Sequence, residues 1–181
     1  VAPSPEKSRH VIARKVASRY PTPFLRQYTY WKTVTDPVYP AAWELLHHAP
    51  PLPLLDLGCG AGQFAFFLRE QGFDAPLIGV ELDSAKVETA NRIAMAHDLR
   101  ARFLALDCRH LREPHSGHVC LLDVLQYVPL AGQRDMLARA AALVHEGGGI
   151  FIARNGFRDG SARYQITRAA DRFARIIRWI K

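Results

Sequence analysis

Cysteine is scarce in this chain: its 181 residues hold three, Cys59, Cys108 and Cys120, and no two form a C-x-x-C pair. An odd, sparse set suits a reducing compartment, hence a cytoplasmic setting, and excludes a disulfide scaffold or a zinc ribbon. No metal site is expected. Long apolar runs are missing too, since no stretch approaches the roughly 18 consecutive apolar residues of a transmembrane helix. Internal repeats and low-complexity tracts are absent. With 49% hydrophobic and 23% charged residues, the chain as a whole is not intrinsically disordered. It contains no G-x-x-x-x-G-K-S/T segment, which excludes a P-loop. The first residue is Val1 rather than Met, compatible with a removed leader.

What is present suits one domain, or one domain with a small appendage, long enough to bury a real core. The net charge of +7 is uneven. Residues 1–40 carry seven basic and two acidic groups, residues 150–181 eight and two, and residues 41–149 nine and thirteen. Basic flanks on an acidic body suit contact with nucleic acid, anionic lipid or an acidic partner, and equally suit a solvated surface.

The first 20 residues read as a loose end or a short helix over 10–19, and Pro21 and Pro23 break any helix there. Residues 24–39 are rich in aromatics. A helix is expected over 38–48, with Trp43, Leu45 and Leu46 inward, ended by Pro50, Pro51 and Pro53. From there apolar strands and helical patterns alternate. Strands are expected at 52–57, 77–80, 102–106, 118–122 and 150–153, with helices at 63–71, from Asp83 or Ser84 to about 97, and 132–145. Such alternation predicts an α/β fold: a Rossmann-like, doubly wound, mainly parallel sheet of at least five strands flanked by helices. A last basic amphipathic helix follows, with Ile166, Ala169, Phe173, Ile176, Ile177 and Ile180 on one face. It is suited to packing on the sheet, or to a membrane surface or an acidic partner.

The informative segment is L-L-D-L-G-C-G-A-G, residues 54–62, directly after a strand and before a helix. Glycines at 58, 60 and 62 let the backbone turn sharply and approach a ligand, and the helix behind them points its first N–H groups at it. Glu81, at the end of the second strand, is placed to accept hydrogen bonds from both hydroxyls of a ribose. The sixth position of a dinucleotide fingerprint counted from Gly58 would be Gln63, which weakens a dinucleotide reading. Asp56 would repel a pyrophosphate and suits a ligand with a positive end.

In order, D-L-G-C-G-A-G, G-V-E-L-D (79–83), L-D-C (106–108), L-L-D-V-L-Q-Y-V-P (121–129) and G-G-G-I-F-I-A (147–153) resemble the motifs of class I S-adenosylmethionine-dependent methyltransferases, over roughly residues 38–155. The resemblance implies S-adenosylmethionine as cofactor and S-adenosylhomocysteine as its product. Gly58, Cys59, Gly60 and Gly62 would cradle the methionine part. Glu81, followed by Leu82, would meet the ribose, Asp107 the adenine amino group and Cys108 the ring's edge. Asp123 is a further candidate cofactor contact and, with Tyr127, would line the substrate side, each a candidate for catalysis, and His110 is a further polar candidate. Asp56 and Glu81 are expected at the amino and ribose ends rather than at the sulfur. The absence of an N/D-P-P-Y segment disfavours adenine- and cytosine-N methylation.

The expected organisation is a basic, aromatic-rich N-terminal cap at 1–37, an S-adenosylmethionine-binding core at 38–155 and the amphipathic helix at 156–181. The cap aromatics Tyr20, Tyr28, Tyr30 and Tyr39, with Arg26 and Lys32, resemble the variable lid of the family. Two short segments, D-P-V-Y (36–39) and A-R-N-G (153–156), are reminiscent of bacterial small-molecule members. The family's usual last two strands are missing from the sequence, from which truncation, a shortened variant or a homodimer completing the sheet edge is expected. The leading function is methylation of a small organic metabolite. RNA methylation and a non-catalytic scaffold subunit are the alternatives, and nucleic acid is disfavoured because no RNA-binding module is visible.

Overall fold

The computed structural model describes residues 5–111 and 114–155. Five strands form one sheet: β1 (Leu54–Leu57), β2 (Leu77–Glu81), β3 (Ala101–Ala105), β4 (His118–Leu122) and β5 (Phe151–Arg154). Their order is β3-β2-β1-β4-β5, with every neighbouring pair parallel. The chain winds outward from β1 to β3, then returns to the other side of β1 for β4. The reversal opens a crevice at the carboxyl ends of β1 and β4, where ligands of doubly wound sheets bind.

Six helices accompany the sheet: α1 (Pro5–Ser18), α2 (Pro23–Thr35), α3 (Val38–His47), α4 (Gln63–Gln71), α5 (Ser84–Ala96) and α6 (Leu130–Ala142). The two-residue alternation of the strands divides the core. Leu54 and Cys120 belong to a cluster on one face; Leu55, Leu57, Val119 and Leu121 belong to another, closed by Met136 and Ala140 of α6. Both faces are covered, which is why β1 and β4 are apolar apart from Asp56 and His118. Helix α4 is buried from Gln63 through Leu68. A helix apolar all round needs a second layer over it, and α1, α2 and α3 supply one. His118 is a satisfied core residue: with its proton on Nε2 it donates to the Pro50 carbonyl at 2.9 Å, and Nδ1 accepts from the Ile150 N–H at 3.1 Å.

Three expectations need correction. Pro21 and Pro23 do follow the end of α1 at Ser18, but Pro23 also begins a helix that was not expected, α2: Thr22 caps it, accepting from the Leu25 N–H at 3.2 Å, and proline in the first turn has no N–H to lose there. Leu45 does not face inward. It is 51% exposed, because α3 buries Tyr39, Ala42 and Leu46, which share one helical face. The helix expected over 132–145 begins two residues earlier and ends at Ala142, and Val144 instead makes an isolated bridge with Gly117. The expected amphipathic helix at 156–181 lies outside the described residues. No helix among the described residues is long and apolar enough to cross a membrane.

Candidate functional site

Strand β1 ends at Leu57 and the glycine turn follows over the crevice. Gly58 and Gly62 have φ of 80° and 82°, a left-handed conformation that side chains disfavour. A Cβ on Gly58 would also lie 2.2 Å from a methyl of Val124, so the turn and the segment after β4 touch through a missing side chain. The Gly58 and Cys59 N–H groups both donate to the Val80 carbonyl, at 2.7 and 3.1 Å. The Glu81 carboxylate binds the turn from β2, accepting from the Gly60 N–H and the Asp83 N–H at 3.0 Å each. From the link between α1 and α2, the buried Tyr20 hydroxyl donates to the Ala61 carbonyl at 2.9 Å.

Asp56 lies beneath this turn on β1, 3% exposed. Among the described residues no donor hydrogen-bonds its carboxylate. Burial, and secondarily the Glu81 carboxylate, push its pKa up to about 7. A buried carboxylate in this state lacks a cation. Leu82, beyond Glu81, is 67% exposed and offers an apolar surface beside the crevice. Asp107 caps the 3-10 turn Cys108–His110, accepting from the Arg109 N–H at 2.9 Å. The Arg109 guanidinium also binds it, with Nε 3.0 Å from Oδ1, and these hydrogen bonds hold its pKa below the ordinary value. His110 is exposed. All three thiols are pushed up by burial, Cys108 to about 11, so none is poised as a nucleophile. Among the described residues no group of His, Cys, Asp and Glu could hold a metal ion.

The segment after β4 carries the two candidate catalytic residues, Asp123 and Tyr127. Asp123, the candidate base, has a left-handed φ of 59°. Both its oxygens accept from Arg154 at the end of β5, from Nε at 2.8 Å and Nη2 at 2.5 Å. Arg154 also binds Asp36, which closes α2 and accepts from the Val38 N–H at 3.1 Å. Lys32 joins them, 3.1 Å from Asp36 and 4.0 Å from Asp123. Burial alone would raise Asp36, but Lys32, the Val38 amide and Arg154 outweigh it and hold its pKa low. Tyr127 stands in the turn Leu125–Tyr127, 38% exposed. Sequence reasoning singled out the segments containing Asp36 and Arg154 but not their pairing across 118 positions.

Residues 54–148 match the methyltransferase-domain family, more than half of the chain. The chain belongs to this family. Its fold is that of the class I S-adenosylmethionine-dependent methyltransferases. Similar solved structures include the cyclase SpnF (TM-score 0.56, 20% identity, covering 65% of this chain and 44% of that one). A protein from Pyrococcus horikoshii OT3 is similar at TM-score 0.58 and 18% identity, covering 82% and 66%. The magnesium protoporphyrin IX methyltransferase of Synechocystis PCC 6803 with bound S-adenosylhomocysteine is similar at TM-score 0.55 and 21% identity, covering 74% and 62%. The methyltransferase-domain chain thus spans between 44% and 66% of these structures' own lengths. No curated protein matches it in sequence.

Proposed function

We propose that this methyltransferase-domain protein transfers a methyl group from S-adenosylmethionine to a small organic metabolite by in-line displacement. The observation that carries the reading is Asp56, a buried carboxylate without a hydrogen-bond partner among the described residues, beside a glycine turn tied to a second carboxylate, Glu81. A ligand with an ammonium group and a ribose diol matches that pair of acceptors; a dinucleotide pyrophosphate does not. The residues present therefore fit S-adenosylmethionine, which when bound supplies an electrophilic methyl group on a sulfonium.

Asp56 would take the ammonium end, and Glu81 the ribose with its remaining lone pairs. The backbone of Gly58, Cys59, Gly60 and Gly62 would line the amino-acid part. Leu82 and Cys108 would pack on the base, and Asp107 would reach its amino group by giving up part of its hold on Arg109. A carboxylate against the sulfonium would favour the ground state over the transition state, so holding the two acids at the ends of the ligand leaves the reacting centre free. Positioning then supplies much of the acceleration. Asp123, held through both oxygens by Arg154, is assigned to the architecture of the crevice, and Tyr127 is the polar side chain proposed to face the acceptor. The small-molecule reading is supported by the acidic body that carries the motifs and by the Synechocystis neighbour, named for a small-molecule substrate.

The test is denaturation with and without S-adenosylhomocysteine. At a hundred times its Kd the ligand should stabilise the protein by about 2.7 kcal/mol, and an unchanged transition would refute the reading. Glu81→Gln keeps one acceptor oxygen for the Gly60 or the Asp83 N–H but loses the other and the charge. With charge-assisted hydrogen bonds contributing about 1.5–3 kcal/mol, it should weaken binding about ten- to a hundredfold in calorimetry.

A further inference from the structure

Arg154 lies where three parts of the fold meet, yet belongs to none of the motifs that would hold the ligand. Its guanidinium grips Asp123 with two hydrogen bonds, and its carbonyl accepts from the Asp123 N–H at 2.9 Å. Side chain and backbone of Asp123 are therefore both held by one residue. That matters because Asp123 keeps a left-handed φ of 59°, a conformation that costs any residue with a side chain, aspartate less than most, as the exposed Asp98 at 48° shows. The next residue is Val124, whose methyl occupies the space a Cβ on Gly58 would need. If Asp123 relaxed to a negative φ, Val124 would be re-aimed and the first glycine of the turn would lose its backing. At its other face Arg154 binds Asp36, whose backbone carbonyl accepts from Arg9 of α1 at 2.7 Å, so the same guanidinium ties the cap to the sheet edge.

We propose that Arg154 is a positioning residue: by holding Asp123 in its left-handed conformation it seats Val124 on Gly58, and so sets the shape of the glycine turn that receives the cofactor. The inference rests on the methyltransferase reading for its consequence in binding, but not for its mechanism. Only the planar fork of arginine meets both oxygens of Asp123 while reaching Asp36; lysine offers a single point charge.

The test uses the full chain with Arg154→Lys, Asp123→Gly and the double variant. Calorimetry gives the S-adenosylhomocysteine affinity, and amide hydrogen exchange at residues 58–62 in the free protein gives a readout that needs no ligand. Arg154→Lys should weaken binding about tenfold, as small displacements in a positioned site do, and should speed exchange in the turn. Glycine adopts the left-handed conformation without assistance. The double variant should therefore recover both properties although the ion pair is gone. An Arg154→Lys protein with unchanged exchange in the turn would overturn the proposal. So would a double variant no better than Arg154→Lys, because an arginine that only glued helix to sheet could not be replaced by removing its partner. If the parent fails to bind S-adenosylhomocysteine, the functional reading falls, while exchange in the turn still decides the role of Arg154.

Discussion

At the scale of single residues, Asp56 carries the sharpest consequence. Burial raises its pKa to about 7 in the folded protein, whereas in the unfolded chain it titrates near the ordinary value of about 4. Between these limits the folded state keeps a proton that the unfolded state has lost, so raising the pH through the window costs stability. Asp56→Asn should escape this cost. Urea denaturation should show its advantage over the parent growing from pH 4 to pH 7 and then levelling. The same ionisation governs the ligand, because an ammonium needs the charged carboxylate. S-adenosylhomocysteine affinity should rise about tenfold per pH unit up to about pH 7 and then flatten, and should be weak and nearly level in Asp56→Asn. A parent profile level from pH 5.5 to pH 8, with Asp56→Asn binding as tightly as the parent, would mean that Asp56 does not meet the ammonium. The need of Asp56 for a positive ligand was legible from its place before the first glycine. Its nearness to Glu81 was not, because that depends on parallel pairing of β1 with β2, in which Asp56 faces Gly79.

At the scale of elements, the turn, β2 and β3 depend on one another through Gly79. A Cβ there would lie 2.5 Å from Phe103 and 2.7 Å from the Cys59 sulfur. Gly79→Ala should overpack this junction and cost about 1–3 kcal/mol. It should also weaken S-adenosylhomocysteine binding, because Cys59 sits within the turn. Gly72→Ala provides the contrast. Its φ is 95° and nothing stands within 4 Å of an added Cβ, so it should lower stability by about 1 kcal/mol through backbone strain and leave affinity unchanged. Equal losses of affinity in both variants would show that the turn responds to general destabilisation rather than to this contact. The strands and α4 through α6 were readable because periodicity and glycine punctuation agree there. Helix α2 was missed because proline serves both as breaker and as first-turn residue, and the deciding signal was Thr22 just before Pro23. Leu45 was misassigned because an apolar residue on a short helix shows its face only once the helix's partner is known.

At the scale of the whole molecule, α1 and α2, the proposed cap, are joined to the glycine turn and to the carboxyl edge of the sheet rather than standing apart from them. Tyr20 reaches the turn at Ala61, Asp36 and Lys32 reach the carboxyl edge of the sheet, and α1 lies against α4. The aromatic, buried character of α4 was the sequence signal for this second layer, but which helices would form it depends on long-range contacts that local pattern does not encode. The arrangement makes the opening stability of the cap and of the turn a shared quantity. S-adenosylhomocysteine should therefore slow amide exchange together at residues 19–22, 32–37 and 58–62, while the exposed faces of α5 and α6 should exchange as before. Tyr20→Phe removes the hydroxyl that joins cap to turn. It should reduce the protection gained at 19–22 without abolishing that at 58–62. Protection confined to the glycine turn in the parent would mean that the cap is only a packing layer, and that closure over the ligand owes nothing to the contacts joining it to the turn.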